Sequence, residues 1–156
     1  MKIIFLDIDG VLVTRRFRER DPGKPLADPS CVAQLNRIVE ATEARIVLSS
    51  SWRYHGLHEM RMILGLWGVR GEMIDLTPDL NREPEAGAGS RNCVPVPRGR
   101  EIAEWLRLND HDGSATIVIL DDDADMEHLL PRLVKSDYAF GLTEAHAERA
   151  IEMLNC

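Results

Sequence analysis

Several classes of protein are excluded by what this sequence has little of. It contains three cysteines, far apart and outside any CxxC or mixed Cys/His pattern: Cys31, Cys93 and Cys156. An odd number of scattered cysteines provides neither a disulfide framework nor a structural zinc site, so we expect reduced thiols. The five histidines also lack metal-ligand spacing: His55, His58, His111, His128 and His146.

Long apolar runs are missing as well. No stretch approaches the roughly 20 apolar residues that a membrane-spanning helix requires. The apolar segment at the start of the sequence meets an acid at Asp7, too early for a signal peptide. We therefore expect a cytoplasmic protein with no membrane partner.

The chain also lacks a surplus of positive charge. The chain has 19 Lys and Arg against 26 Asp and Glu, a net charge of -7 at pH 7. Proteins that coat nucleic acid neutralise phosphates with surplus cations, which argues against that class but not against contact with a short strand end. The 156 residues suit one domain with a sizeable core, so we expect a single domain over residues 1–156.

Short apolar runs, each ended by small or acidic polar residues, indicate the fold. They span Lys2–Leu6, Arg45–Leu48 and residues 115–120. Continuous runs of this length are typical of strands covered on both faces, as in a parallel sheet. Weaker strand signals lie at 69–74 and 137–140.

Helical patterns lie between these runs. Four apolar stripes have helical spacing: Val32, Leu35, Ile38 and Val39 after a Ser30 cap; Ile102, Trp105 and Leu106; Met126, Leu129, Leu130, Leu133 and Val134; and Ala147, Ala150, Ile151 and Leu154 after a Thr143 cap. Alternating strands and helices predict an α/β fold, a Rossmann-like open parallel sheet flanked by helices. The segment 77–99, rich in Pro and Gly, is predicted to be a long loop, either functional or disordered.

Polar residues follow three of the predicted strands, where an open α/β sheet binds its ligands. The first strand is followed by Asp7 and Asp9, the second by three serines at 49–51, and the third by four acids: Asp121, Asp122, Asp123 and Asp125. Carboxylates gathered in one crevice repel each other unless a cation lies between them, and oxygen ligands suit Mg²⁺. The alternative is that these acids only cap the following helices.

The same segments resemble the motifs of the haloacid dehalogenase superfamily of phosphatases and phosphotransferases. FLDIDGVL at 5–12 is similar to its first motif, IVLSS at 46–50 to its second and IVILDDDADM at 117–126 to its fourth. The third motif is normally a Lys near a helix start, and here PRGREIAEWL at 97–106 offers Arg98 or Arg100 instead. The set is most similar to stand-alone domains related to those in bacterial RNA-repair proteins, and more distantly to polynucleotide 3′-phosphatases.

This resemblance implies a chemical role for the first motif. Asp7 would be the nucleophile that forms an aspartyl-phosphate, and Asp9 would protonate the leaving group and then deprotonate water. Side chains two apart on a strand return to one side, so both carboxylates could face the phosphorus. Gly10 would let the chain turn sharply beside the substrate.

The other motifs would supply the metal and phosphate ligands. Mg²⁺ would be held by Asp7, the backbone carbonyl of Asp9 and Asp122, with Asp121 and Asp125 as outer or water-mediated partners. Asp123 would start the next helix. The phosphoryl group would be met by Ser49, ranked ahead of Ser50 and Ser51, and by Arg98, since Arg can bind two oxygens at once.

The substrate is expected to be large. Only 39 residues separate Asp9 from Ser49, which leaves no room for a separate cap domain, and an uncapped site is open. A basic stretch follows the first motif, five cations less two acids: Arg15, Arg16, Arg18, Arg20 and Lys24 against Glu19 and Asp21. It is interpreted as a substrate-binding loop, the alternative being a solvated loop. Arg53 could join it, and Trp52 could stack on a base or belong to the core.

The predicted function is therefore a Mg²⁺-dependent phosphohydrolase acting on an exposed phosphomonoester such as a nucleic-acid 3′ end. Two alternatives stay open: a phosphatase of small metabolites, and a catalytically inactive binding module on the same fold. A signalling receiver domain would place its acid pair after the first strand, and here the acid doublet comes late. The sequence leaves the oligomeric state open.

Overall fold

Five parallel strands form one open sheet in the part of the chain that the structure describes. The computed structural model describes residues 1–23, 26–81 and 95–156. The strand order is β3-β2-β1-β4-β5. The strands are β1 Lys2–Leu6, β2 Arg45–Leu48, β3 Met73–Leu76, β4 Thr116–Asp121 and β5 Leu133–Lys135. The open α/β sheet without a separate cap domain is confirmed.

Helices cover both faces of the sheet. They are α1 Arg15–Arg20, α2 Pro29–Thr42, α3 Leu57–Leu66, α4 Arg98–Asn109 and α5 Glu144–Asn155, with 3₁₀ helices at Ser51–His55 and Glu127–Arg132. No helix within these described ranges is long and apolar enough to cross a membrane.

The central strand β1 separates two apolar cores because its side chains alternate between the faces of the sheet. Ile4 and Leu6 belong to the core beneath α2 and α5, and Ile3 and Phe5 to the core beneath α4. All four are fully buried, and each such side chain contributes about 1.5–3 kcal/mol. This double burial fixes the position of the residues that follow β1.

The apolar runs predicted three strands closely. The bounds of β1 and β2 are as expected, and β4 begins one residue later than predicted. The weak signal at 69–74 corresponds to β3, which begins only at Met73. The Val69 N–H instead bonds to the Leu64 carbonyl and closes the end of α3.

The apolar stripe from Met126 to Val134 does not form the α-helix that was predicted, and that prediction is wrong. The segment forms the 3₁₀ helix and then β5. Pro131 has no N–H to continue an α-helix, and Glu127 has a φ of 51°. The strand predicted at 137–140 is also wrong, because the Gly141 N–H bonds to the Asp137 carbonyl at 2.7 Å and closes a turn there.

Two predicted helix starts have different outcomes. Thr143 caps α5 as expected, and its side chain accepts from the His146 N–H. The cap of α2 is Asp28, with Ser30 in the first turn donating to it through both its N–H and its hydroxyl. The stripe at 102–106 lies on α4 as predicted.

The basic stretch after the first motif is a short helix, α1, and not a loop. The Thr14 side chain accepts from the Phe17 N–H, and the buried Phe17 ring anchors the helix to the core. Lys24 lies outside the described residues. The predicted 77–99 loop ends where α4 begins at Arg98, and its 82–94 part also lies outside them.

The cysteines agree with the expectation where the structure describes them. Cys31 is buried and Cys156 exposed, and both are free thiols. The Cys31 thiol donates to the Phe140 carbonyl at 3.4 Å, and burial raises the pKa of this thiol to about 11. Cys93 lies outside the described residues.

Candidate active site

Three carboxylates meet at the carboxyl edge of the sheet. Asp7 follows β1, Asp121 ends β4 and Asp122 comes next, and one oxygen from each lies within 4.8 Å of the others. Parallel pairing of Leu6 with Leu120 brings them together, and the Asp7 N–H donates to the Leu120 carbonyl at 2.9 Å. The predicted meeting of the first and fourth motifs is therefore present.

Burial makes these carboxylates costly to ionise. Asp7 is 8% exposed and Asp121 3% exposed. Desolvation is the main cause that raises the pKa of Asp7 to about 7, against a lowering by the Arg98 charge. Desolvation and then the Asp7 charge raise the pKa of Asp121 to about 8, and desolvation also raises the pKa of Asp122.

This donor set suits a hard divalent cation. Three carboxylates that repel one another offer oxygen ligands alone, which Mg²⁺ prefers, and a cation between them would offset the repulsion. Among the described residues no histidine or cysteine joins the cluster, so the site does not resemble a zinc or copper centre.

Asp9 does not lie on a strand, although the sequence argument treated Asp7 and Asp9 as two positions of one strand. Since β1 ends at Leu6, Asp9 lies in the following turn, where it bridges to Val13. Its charge contributes to the raised pKa of Asp122, which shows that the two carboxylates are near each other. Its Oδ2 accepts a hydrogen bond from Trp52 Nε1 at 3.0 Å. This indole contact, which the sequence did not predict, orients the Asp9 side chain.

Gly10 is required by the backbone. Its φ is 79°, and a Cβ built there would lie 2.3 Å from Asp122 Oδ2. The Gly10 carbonyl accepts from the buried Ser136 hydroxyl at 2.6 Å. The predicted sharp turn is confirmed, and what it accommodates in the structure is the Asp122 carboxylate.

The three serines that follow β2 have different surroundings in the structure. The buried Ser50 hydroxyl accepts from the Trp52 N–H at 3.2 Å, and Ser50 is one of the groups that lower the pKa of Asp7 against the larger effect of burial. The Ser49 hydroxyl is buried with no hydrogen-bond partner in the described residues. The buried Ser49 hydroxyl can therefore donate to an incoming group, and its place ahead of Ser50 as the phosphoryl ligand stays a prediction. Ser51 starts a 3₁₀ helix.

The structure distinguishes the two candidate arginines. Arg98 is the first residue of α4, and its charge lowers the pKa of both Asp7 and Asp121. Arg100 instead forms an exposed ion pair with Glu127, with 3.0 Å between Nε and Oε1. Arg98 is therefore the arginine whose charge acts on the carboxylate cluster, and its role as the third-motif residue stays a prediction.

Two acids of the fourth motif have structural contacts instead. Asp125 is exposed, and its Oδ2 accepts from the Arg98 N–H at 3.0 Å at the start of α4. Asp123 is also exposed, and its Oδ1 accepts from the adjacent Ala124 N–H. Asp125 is not in the carboxylate cluster of the described residues, and no helix starts at Asp123.

Arg53 is committed to an ion pair inside the protein. Its Nη1 and Nη2 lie 2.7 and 2.8 Å from the two oxygens of Glu101, which is 1% exposed. Arg98 Nη1 also reaches Glu101 Oε2, at 3.2 Å, and Asp79 lies 3.2 Å from Arg53 Nη2. Glu101 offsets the charge of Arg53, and the substrate contact of Arg53 stays a prediction. The sequence did not predict that Glu101 would pair with Arg53.

The arginines of α1 face solvent. Arg15, Arg16 and Arg18 are exposed, and the described part of the chain shows no ion pair to any of them. The Arg15 N–H bonds to the Tyr138 carbonyl, and the Arg16 guanidinium lies 5.5 Å from the centre of the Phe140 ring. Their positive charge therefore faces solvent and is not offset by an ion pair within the described residues.

A parallel α/β sheet with this carboxylate cluster at its carboxyl edge is the arrangement that the resemblance to the haloacid dehalogenase superfamily implies. A family model described as "HAD domain in Swiss Army Knife RNA repair proteins" matches residues 3–147, and the chain belongs to that family. Comparisons with curated proteins and with solved structures gave no match. Family membership and the cluster support a phosphohydrolase of the haloacid dehalogenase type.

Proposed function

We propose that the protein is a Mg²⁺-dependent phosphomonoesterase that acts through an aspartyl-phosphate on Asp7. The observation that carries the proposal is the cluster of two buried carboxylates, Asp7 and Asp121, with the partly exposed Asp122. Arg98 supplies positive charge to it. Carboxylates in this arrangement contribute little to stability, because burial disfavours their charged forms. They are suited to a reaction that brings in a cation and a phosphate.

Asp7 and Asp9 divide the chemistry between them. An Asp7 oxygen bonds to phosphorus as the bond to the leaving-group oxygen breaks, and the Asp9 carboxyl gives that oxygen its proton. Water then attacks phosphorus, its proton passes to the Asp9 carboxylate, and the bond from Asp7 to phosphorus breaks. Inorganic phosphate leaves, and both side chains are restored.

The neighbouring residues support these two steps. Ser50 orients the Asp7 carboxylate, and Arg98 supplies positive charge for the phosphoryl oxygens. Mg²⁺ would be held by Asp7, Asp122 and Asp121, with the Asp9 backbone carbonyl as a further ligand. When bound, it would offset the charge of carboxylates and phosphate, which lets Asp7 approach phosphorus as an anion.

An exposed phosphate on a large molecule is the substrate class we infer. Within the described residues no cap domain covers the carboxyl edge, and α1 presents Arg15, Arg16 and Arg18 directly after the first motif. The rows of phosphates in a nucleic acid can contact such a cationic helix while one terminal phosphate reaches Asp7. We therefore propose a nucleic-acid 3′ end as the substrate.

Changing Arg15, Arg16 and Arg18 together to Ala tests this substrate. We expect kcat/KM for a 3′-phosphorylated oligonucleotide to fall about tenfold or more at 0.1 M salt, because phosphate contacts are lost. For 4-nitrophenyl phosphate, which has no flanking phosphates, we expect a change of less than about twofold. Phosphate release with Mg²⁺ measures both rates.

A control removes the same charge elsewhere. Arg45, Arg107 and Arg149 are exposed arginines away from the first motif, and their triple Ala variant should affect both substrates equally. Equal losses on both substrates in the α1 variant would contradict the nucleic-acid proposal and favour a small-metabolite phosphatase. No phosphate release from any substrate would favour the inactive binding module.

A further inference from the structure

The orientation of Asp9 depends on an indole N–H that the proposed mechanism does not use. Trp52 Nε1 donates to Asp9 Oδ2 at 3.0 Å, across 43 positions of sequence. The mechanism gives Asp9 two proton transfers, and each needs a carboxyl oxygen directed at the reacting atoms. A contact that fixes the carboxyl group therefore bears on the reaction itself.

Trp52 is held from several sides. Its backbone N–H donates to the Ser50 hydroxyl at 3.2 Å at the start of the 3₁₀ helix. Its ring meets the Trp67 ring edge to face, with centroids 5.5 Å apart, and packs beside His55 at 5.8 Å. A partly buried ring with two aromatic neighbours has little rotational freedom, so its N–H has a fixed direction.

The chemistry of the indole decides which Asp9 oxygen is occupied. An indole N–H only donates, and a protonated carboxyl group has one acceptor-only oxygen and one hydroxyl oxygen. The N–H on Oδ2 favours Oδ2 as the acceptor and leaves the proton on Oδ1. The same bond also holds the carboxylate after the proton has left.

We propose that Trp52 is a positioning residue for phosphoryl transfer, which holds Asp9 Oδ2 so that Oδ1 exchanges protons with the leaving group and with water. The inference rests on the proposed function. The Oδ1 proton passes to the leaving-group oxygen as its bond to phosphorus breaks, and Oδ1 accepts a proton from the water that then attacks phosphorus. Trp52 itself gains and loses no proton.

Leaving-group dependence tests the proposal. Proton donation matters most when the leaving group is poor, so we expect Trp52→Phe to harm phenyl phosphate more than 4-nitrophenyl phosphate. The drop in kcat/KM for phenyl phosphate should be about tenfold larger, from the loss of one hydrogen bond to a carboxylate. A series of substituted phenyl phosphates with Mg²⁺ should show a steeper dependence of kcat/KM on leaving-group pKa. Partial unfolding would lower every rate by one factor and leave the slope unchanged.

Matched variants separate positioning from packing. Trp105→Phe removes another indole N–H bound to a carboxylate, Asp75 Oδ2 at 2.7 Å, on β3 and not in the carboxylate cluster. We expect it to leave the slope unchanged. Adding Trp52→Phe to Asp9→Asn should not steepen the slope further, because the acid is already absent. Trp52→His, which keeps a ring N–H, should retain a shallower slope than Trp52→Phe.

Each outcome has a distinct meaning. A Trp52→Phe slope equal to the wild-type slope, or an equal steepening in Trp105→Phe, would overturn the role of Trp52 while leaving the phosphatase intact. A wild type that releases no phosphate from any ester of the series would overturn the proposed function, and this inference with it.

Discussion

We expect Asp7→Asn to abolish phosphate release and at the same time to stabilise the metal-free protein. An amide cannot attack phosphorus, so kcat/KM should fall by about three orders of magnitude or more. The same change removes a buried carboxylate from a cluster of three that repel each other. The free energy of unfolding in EDTA at pH 8 should rise by about 2–4 kcal/mol, since each unit of pKa shift is worth about 1.4 kcal/mol.

The stability that Asp7→Asn gains without metal should increase with pH. Burial raises the pKa of Asp7 from 3.8 to about 7 in the folded protein. Between these values the unfolded chain releases the proton while the folded protein keeps it, so wild-type stability falls as pH rises. The advantage of Asp7→Asn should therefore be absent near pH 4, grow through pH 7 to about pH 8, where Asp121 also ionises in the wild type, and stay constant above that.

With Mg²⁺ bound, the wild type should become more stable than Asp7→Asn. By binding the folded wild type, the ion stabilises it in proportion to its affinity, and the variant has lost one of the three carboxylates. Urea unfolding of both proteins with EDTA and with Mg²⁺ measures this difference. Ser30→Ala, at the exposed start of α2, controls for an unrelated polar substitution. A stability difference that does not change with pH would contradict the assignment of a buried, metal-binding Asp7.

Glu101→Ala is the substitution expected to destabilise the fold most. The Glu101 carboxylate contacts two guanidinium groups, those of Arg53 and Arg98, and it accepts from the Leu80 N–H at 3.3 Å. Removing one partner of a buried ion pair leaves uncompensated charge, which costs about 3–5 kcal/mol. We also expect lower phosphatase activity, because Arg98 loses the group that orients it. Urea unfolding and phosphate release measure the two effects.

Glu104→Ala is the matched control for this variant. Glu104 lies on the same helix and pairs with Arg107 at 2.7 Å, but the pair is exposed and solvent weakens it. It should change stability little and activity not at all. Similar losses in both variants would show that helix propensity, and not the buried ion pair, explains the effect.

The sequence predicted the parts of the fold that depend on local pattern. Unbroken apolar runs predicted β1 and β2 with the observed bounds, and Thr143 predicted the start of α5. Since adjacent parallel strands end at one edge, the meeting of Asp7 with Asp121 and Asp122 was predictable too. The sequence pattern failed to predict β5. This strand, Leu133–Lys135, has only three residues, which are too few to show the alternation that is typical of a strand.

The contacts that refine the site were outside the reach of spacing rules. Glu101 and Arg53 are 48 positions apart, and only the packing of α4 against the sheet brings them together. Which of the Ser49 and Ser50 hydroxyls meets the phosphoryl group depends on side-chain directions at the end of β2, where the chain enters a 3₁₀ helix. A motif identifies the segment, and the tertiary structure decides which side chain of the segment acts.

Trapping the phosphoryl group on Asp7 is the most direct test of the account. Borohydride reduces an acyl phosphate to an alcohol, so enzyme quenched during turnover of 4-nitrophenyl phosphate with Mg²⁺ should carry homoserine in place of Asp7. Fragmentation of the tryptic peptide over residues 3–15 locates the change. Asp9→Asn should carry more homoserine at position 7, because the attack of water on the aspartyl-phosphate lacks its base. Asp7→Asn should carry none. Phosphate release with position 7 unmodified, or with the modification on Asp9, would contradict the proposed mechanism.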